Sequence, residues 1–126
     1  MKELTIEQTK DSLGVKCSPK GKIEMEGNSI LANANKFFSP IIDWVDEYIK
    51  DPQKQTEITL KFNYVDTASV QGVFDVLKRF REIPDYEDKV VVNWYFEFDD
   101  PELLEVGEIM EGRLKIKFNY VEFNEG

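Results

Sequence analysis

A change of hydrophobic period near the middle of the chain constrains the fold more than any other feature. Upstream, Ile58, Leu60, Phe62 and Tyr64 alternate with the polar residues Thr59, Lys61 and Asn63, the period of two of a half-buried strand. Downstream, Val70, Val73, Phe74, Leu77 and Phe80 recur at the spacing of one face of a helix. The switch falls at Asp66-Thr67, where a strand must hand over to a helix beside a hydroxyl. Chemistry or recognition is expected at this junction.

The remaining segments are read with the same two periods. Leu4–Ile6 reads as a short edge strand, and Gly14–Cys17 and Lys22–Glu26 as hairpin arms around Ser18-Pro19-Lys20-Gly21. Gly27-Asn28-Ser29 is expected to break the second arm. Asn33 or Asn35 can cap the next helix, whose buried face is Phe38, Ile41, Ile42, Val45, Tyr48 and Ile49. Pro40 places its regular part from about Ser39, and Asp51-Pro52 ends it. The strand Thr56–Val65 and a helix from about Ala68 to Glu82 come next, then a polar loop over Tyr86–Lys89. Lys89–Phe98 is a strand with Val90, Val92, Trp94 and Phe96 on one face. Asp99-Asp100-Pro101-Glu102 opens a helix that Gly107 weakens and Gly112 stops. Leu114, Ile116, Phe118 and Tyr120 form a last alternating strand.

Strands alternating with helices predict an α/β domain with parallel strand pairs. Alternation within each strand argues against a sheet covered on both faces, which would show continuous apolar runs. The expected architecture is a two-layer domain, a mixed sheet with helices mainly on one face. Its 126 residues suit a single domain over 1–126.

Composition narrows function. A formal net charge of -9 disfavours nucleic acid, whose binding depends on Lys and Arg, and anionic membrane surfaces. The absence of histidine removes the usual catalytic base, the nucleophile–His arrangements and most transition-metal sites. No apolar run reaches membrane-spanning length, and residues 1–14 lack the apolar core of a secretory signal. A cytoplasmic location is expected, which agrees with a single cysteine, Cys17. That thiol reads as inert.

Two readings of Thr67 coexist. Asp66 or Thr67 can cap the helix through a bond to a first-turn N–H. Thr67 can also accept a phosphate at the positive end of the helix, adding a charge of about -1.5 to -2. The acidic groups Asp43-Asp46-Glu47 and Glu97-Asp99-Asp100-Glu102 read as a solvated helix face and a helix cap. They lack the spacing of a calcium loop, so no metal or other cofactor is expected. Trp44, Trp94 and Phe98 read as core, and Tyr95 faces away from Trp94. Gly72 stands alone in its helix and reads as a point of close packing.

Asp66-Thr67-Ala68-Ser69-Val70-Gln71-Gly72-Val73 resembles the phosphorylation motif of STAS-domain anti-sigma-factor antagonists, in which an Asp precedes the modified hydroxyl. With Gly21-Lys22-Ile23-Glu24-Met25-Glu26-Gly27-Asn28-Ser29 and Ile41-Ile42-Asp43-Trp44-Val45, the chain is similar to the SiaC family of bacterial regulatory phosphoproteins, from about Lys22 to Phe123. The resemblance implies a STAS-like domain without catalytic activity. It implies a dedicated Ser/Thr kinase, a PP2C-type phosphatase and a diguanylate cyclase bound by the unmodified form, in cyclic-di-GMP and biofilm signalling. Carried over, the phosphoacceptor is Thr67, with Ser69 as the alternative. Asp66, Ala68, Gln71, Asp75, Lys78 and Arg79 are candidate partner contacts. A constitutive interaction module and a carboxylate- or metal-dependent enzyme are the competing readings.

Overall fold

The computed structural model describes residues 1–124. In chain order the elements are β1 (Leu4–Ile6), β2 (Gly14–Ser18), β3 (Lys22–Ser29), α1 (Ala34–Tyr48), β4 (Thr56–Val65), α2 (Thr67–Arg79), a 3₁₀ turn (Phe80–Glu82), α3 (Tyr86–Lys89), β5 (Val90–Glu97), α4 (Pro101–Leu114) and β6 (Lys117–Phe123). The six strands form one sheet in sequence order. β1, β2 and β3 pair antiparallel, and β3 to β6 pair parallel through helical crossovers. The expected mixed sheet is therefore present.

Alternation decides the layering. Ile23 and Met25 of β3, Ile58, Leu60 and Phe62 of β4, and Val90, Val92 and Trp94 of β5 share one core with Phe38, Ile41 and Val45 of α1 and Val73, Val76 and Leu77 of α2. The opposite face carries a polar row in register, Lys16, Glu24, Thr59, Asn93 and Asn119. Along it Asn119 donates to Asn93 and Asn93 to Thr59, both at 3.3 Å. This face stays wet while the helices cover the other.

Several local expectations are corrected. β3 does not break at Gly27. It continues to Ser29, with Gly27 at φ 107° beside a register shift that moves the pairing from Gly27–Phe62 to Asn28–Tyr64. Asn63 is the extra residue on β4, and such a bulge reverses the facing of the residues beyond it. Tyr64, expected on the apolar face, is consequently 55 % exposed. α1 begins at Ala34 rather than near Ser39, capped by Asn33, whose side chain accepts from the Lys36 amide at 3.1 Å. Pro40 lies inside the helix. Gly112 does not stop α4, which runs to Leu114 and ends where Lys115 adopts φ 58°. Leu114 and Ile116 are buried as expected, but outside the strand. Tyr86–Lys89 forms a short helical turn instead of a loop.

Glycines set helix spacing. A Cβ on Gly72 would overlap the Phe38 ring of α1, and one on Gly107 would lie 2.7 Å from the Trp94 indole nitrogen. Gly72 thus lets α2 pack tightly on α1. Gly107 does not merely weaken α4; it lets the helix settle on Trp94, whose Nε1 donates to the Leu103 carbonyl at 3.1 Å.

Candidate functional site

The period switch becomes a compact joint between β3, β4 and α2. Asp66 is the cap of α2: its Oδ1 accepts from the Ser69 amide at 2.8 Å. Its Oδ2 accepts from the Leu31 amide at 3.2 Å, which ties the segment after β3 to the helix start. The Asp66 amide in turn donates to the Ser29 carbonyl at 3.0 Å. The Ser69 side chain is the largest influence holding the Asp66 carboxyl below its ordinary range; partial burial opposes it, and the Ser69 and Leu31 amides add to it.

The two hydroxyls at this joint have opposite environments. Ser69 is 0 % exposed, accepts from the Ser29 hydroxyl at 2.7 Å and donates to the Ser29 carbonyl at 3.2 Å. It locks α2 to the end of β3. Thr67 is the first residue of α2 and is exposed. Among the described residues its side chain takes part in no hydrogen bond. Capping therefore belongs to Asp66 and not to Thr67, because the carboxylate sits one residue before the helix, where it can reach the Ser69 amide.

The other predicted contacts do not form one patch around Thr67. Asp66 is half-buried and Ala68 exposed on either side of it. Gln71, one turn on, donates to Asp75 at 2.9 Å. Arg79 donates to both Asp46 carboxylate oxygens of α1, at 2.8 and 2.9 Å, and lies about 18 Å along the helix from Thr67 at the usual rise per residue. Asp75, Lys78 and Arg79 line an open groove with Ile42 and Arg81. Three exposed apolar residues escaped the sequence reading. Ile30, Tyr64 and Phe98 are each more than half exposed and follow or end β3, β4 and β5 on the sheet edge from which α2 starts. Phe98 was expected in the core; it lies past the end of β5, where alternation no longer governs its facing. The exposure of Ile30 could have been suspected from its place after Ser29, but that of Tyr64 could not, since it depends on the bulge.

The acidic groups have structural partners. Asp46 binds Arg79, Glu47 binds Lys50 at 2.9 Å, and Asp100 caps α4 through the Leu103 amide at 3.1 Å. Among the described residues no group of three Asp, Glu or Cys side chains is placed to hold a metal ion, and no helix is long and apolar enough to cross a membrane. Burial pushes the Cys17 thiol up to about 12.

Comparison with known proteins agrees with this fold. The family model of SiaC family regulatory phosphoproteins matches residues 6–123. The chain belongs to the SiaC family. The uncharacterized protein PA14_02130 of Pseudomonas aeruginosa strain UCBPP-PA14 is 27% identical over 88 residues, 70% of each chain. The crystal structure of apo-SiaC from Pseudomonas aeruginosa superposes with a TM-score of 0.84 at 24% identity, covering 96% of this chain and 99% of that one. A chain in the crystal structure of the diguanylate cyclase SiaD in complex with its activator SiaC, from the same organism, superposes at 0.86 with 23% identity, covering 95% and 99%. At such identities the superpositions establish the SiaC fold. Family membership rests on the family model.

Proposed function

We propose that the chain is a non-catalytic regulatory module that binds a diguanylate cyclase when unmodified and releases it when Thr67 is phosphorylated. The observation that carries this reading is the division of labour at the head of α2. Thr67 is exposed and unbonded there, while Asp66 and Ser69 hold the helix in place. A kinase would transfer the γ-phosphoryl of ATP to the Thr67 hydroxyl, releasing ADP and a proton. A PP2C-type phosphatase would return the hydroxyl and inorganic phosphate by hydrolysis. The reading places the chain in the cytoplasm, with protein partners only. Family membership supports it, as does the SiaD–SiaC complex formed by a protein of the same fold.

Two effects would make the phosphate disruptive. It brings two or so negative charges beside the Asp66 carboxylate, which already occupies the Ser69 and Leu31 amides. It also adds a strongly hydrated group to the sheet edge that carries Ile30, Tyr64 and Phe98, exposed apolar side chains that a partner would cover. Ser69 serves poorly as acceptor in this conformation, being buried behind Ser29.

The test is phosphosite mapping of the chain isolated from its own cells, with pull-downs by unmodified, Thr67→Ala and Thr67-phosphorylated protein. The expected results are phosphate on Thr67 and a diguanylate cyclase captured by the first two baits only. Capture by all three baits, or a chain never modified at Thr67, would leave the protein a constitutive interaction module.

A further inference from the structure

The two outer strands of the sheet differ in what they offer another molecule. β1 is only 3 residues long, so little of its backbone is left to template a further strand. Just before it, the Trp44 Nε1 donates to the Lys2 carbonyl at 2.8 Å. β6 is 7 residues long, contains no proline, and carries Phe118, Tyr120, Val121 and Phe123. It ends the strand order and is paired on one side only. A strand edge of this kind pairs readily with another chain unless something closes it.

Hydrogen bonds show which way the backbone of β6 points. The Phe98 amide donates to the Phe123 carbonyl at 3.0 Å, toward β5. The Phe118 amide donates instead to Glu111 Oε2 of α4, at 2.8 Å. Successive residues of a strand turn their N–H and C=O groups to opposite sides. Phe118, Tyr120 and Glu122 therefore present theirs outward. Among the described residues no bond reaches the outward amides of Tyr120 and Glu122. Glu111 is fixed where it stands. Its Oε1 accepts from the Tyr120 hydroxyl at 2.8 Å, and its carbonyl accepts from the Lys115 amide at the left-handed turn that brings β6 back beside α4. Burial, with the Glu111 bond and charge behind it, raises the Tyr120 phenol above its ordinary range. The proton that ties down Glu111 is thus retained.

Symmetry identifies the strand that is shut out. Every copy of the chain presents the same edge, and two β6 strands related by a two-fold axis meet through identical surfaces. An antiparallel pair centred on Tyr120 sets Phe118 opposite Glu122 of the second copy and uses every outward group. Glu111 closes this register in two ways. It occupies the Phe118 amide, and the two-fold would bring the Glu111 carboxylates of both copies toward tyrosines facing one another at a Cα separation of about 5.5 Å. Like charges so placed repel.

We propose that Glu111 is an edge guard, which closes the outer edge of β6 against β6 of a second copy and without which the chain pairs edge to edge as a two-fold dimer. Thr67 has no part in this device.

Analytical ultracentrifugation and amide hydrogen exchange of the full chain test it. Wild type should exchange slowly at the Phe118 amide and fast at Tyr120 and Glu122. Glu111→Ala should dimerise at concentrations at least about tenfold below any at which wild type does. Its Tyr120 and Glu122 amides should gain protection as the dimer forms. Glu111→Gln keeps an acceptor for the Phe118 amide but removes the charge, so its association should fall between the two. Glu122→Pro removes an outward donor and leaves the bonds to β5 intact. Added to Glu111→Ala, it should restore the monomer. Protection of the central β4 amides reports whether each variant is folded. A folded Glu111→Ala that stays monomeric, or a dimer indifferent to Glu122→Pro, would overturn the inference. So would a wild-type Phe118 amide that exchanges as fast as that of Tyr120. Should Glu111→Ala fail to fold, Glu111→Gln carries the test, and association no stronger than wild type would overturn the inference there.

Discussion

At the scale of single residues, Asp66 and Thr67 hold different offices that the sequence alone left interchangeable. A hydroxyl and a carboxylate in succession can each cap a helix, and only the placement of the Ser69 amide against Asp66 Oδ1 decides between them. Two stability measurements check the assignment. Thr67→Ala should unfold within about 0.5 kcal/mol of wild type, since an exposed, unbonded side chain is lost. Asp66→Asn should cost about 1 kcal/mol in urea or thermal unfolding, because a neutral amide oxygen replaces the carboxylate that accepts charge-assisted bonds from the Ser69 and Leu31 amides. The cost of Asp66→Asn depends on pH. The Asp66 carboxyl lies below its ordinary 3.8 when folded, so its contribution is present above the unfolded value and is lost as pH falls through the folded one. The gap between wild type and Asp66→Asn should be flat above about pH 5 and close in more acid solution. Cys17 offers an independent check of burial. With its thiol pushed up to about 12, it should resist a thiol reagent at neutral pH until the chain is unfolded.

At the scale of elements, two contacts fix where Thr67 is presented. The Ser29–Ser69 pair joins β3 to α2, and Gly72 seats α2 on Phe38. Ser69→Ala leaves the buried Ser29 hydroxyl without its acceptor and should cost about 1–3 kcal/mol. Gly72→Ala must push α1 and α2 apart and should cost about 1–3 kcal/mol by overpacking, despite alanine's better helix propensity. The elements themselves were legible wherever hydrophobic period governed them: β4 and most of α2, and the alternation of β5. They were misread where a local rule was overridden. Gly27 looked like a strand breaker, but its positive φ serves the bulge that carries β3 on to Ser29. Gly112 looked like a helix stop, yet Lys115 takes the left-handed turn and α4 keeps its last buried residue, Leu114. Tyr64 and Ser29 are the costliest misreadings, since the bulge exposes one and lets the other meet Ser69.

At the scale of the whole molecule, the sheet is wet on one face and covered by helices on the other, with Ile30, Tyr64 and Phe98 exposed at its carboxyl edge. Alternating strands foretold that layering. Which apolar side chains remain uncovered at the edge was not legible, because it depends on strand ends and helix spacing rather than on period. The joint also couples two segments distant in sequence, as Asp66 binds both the Ser69 and Leu31 amides. Phosphate on Thr67 should therefore speed hydrogen exchange at Leu31 and its neighbours while the central amides of β4 keep their protection. The central claim is that Thr67 phosphorylation switches partner binding. Its most direct test is calorimetry of a diguanylate cyclase, captured by the unmodified chain from its own cells, against the chain with and without a stoichiometric phosphate on Thr67. The prediction is an affinity at least about tenfold weaker for the phosphorylated chain, a difference of about 1.4 kcal/mol or more. Equal affinities would contradict it.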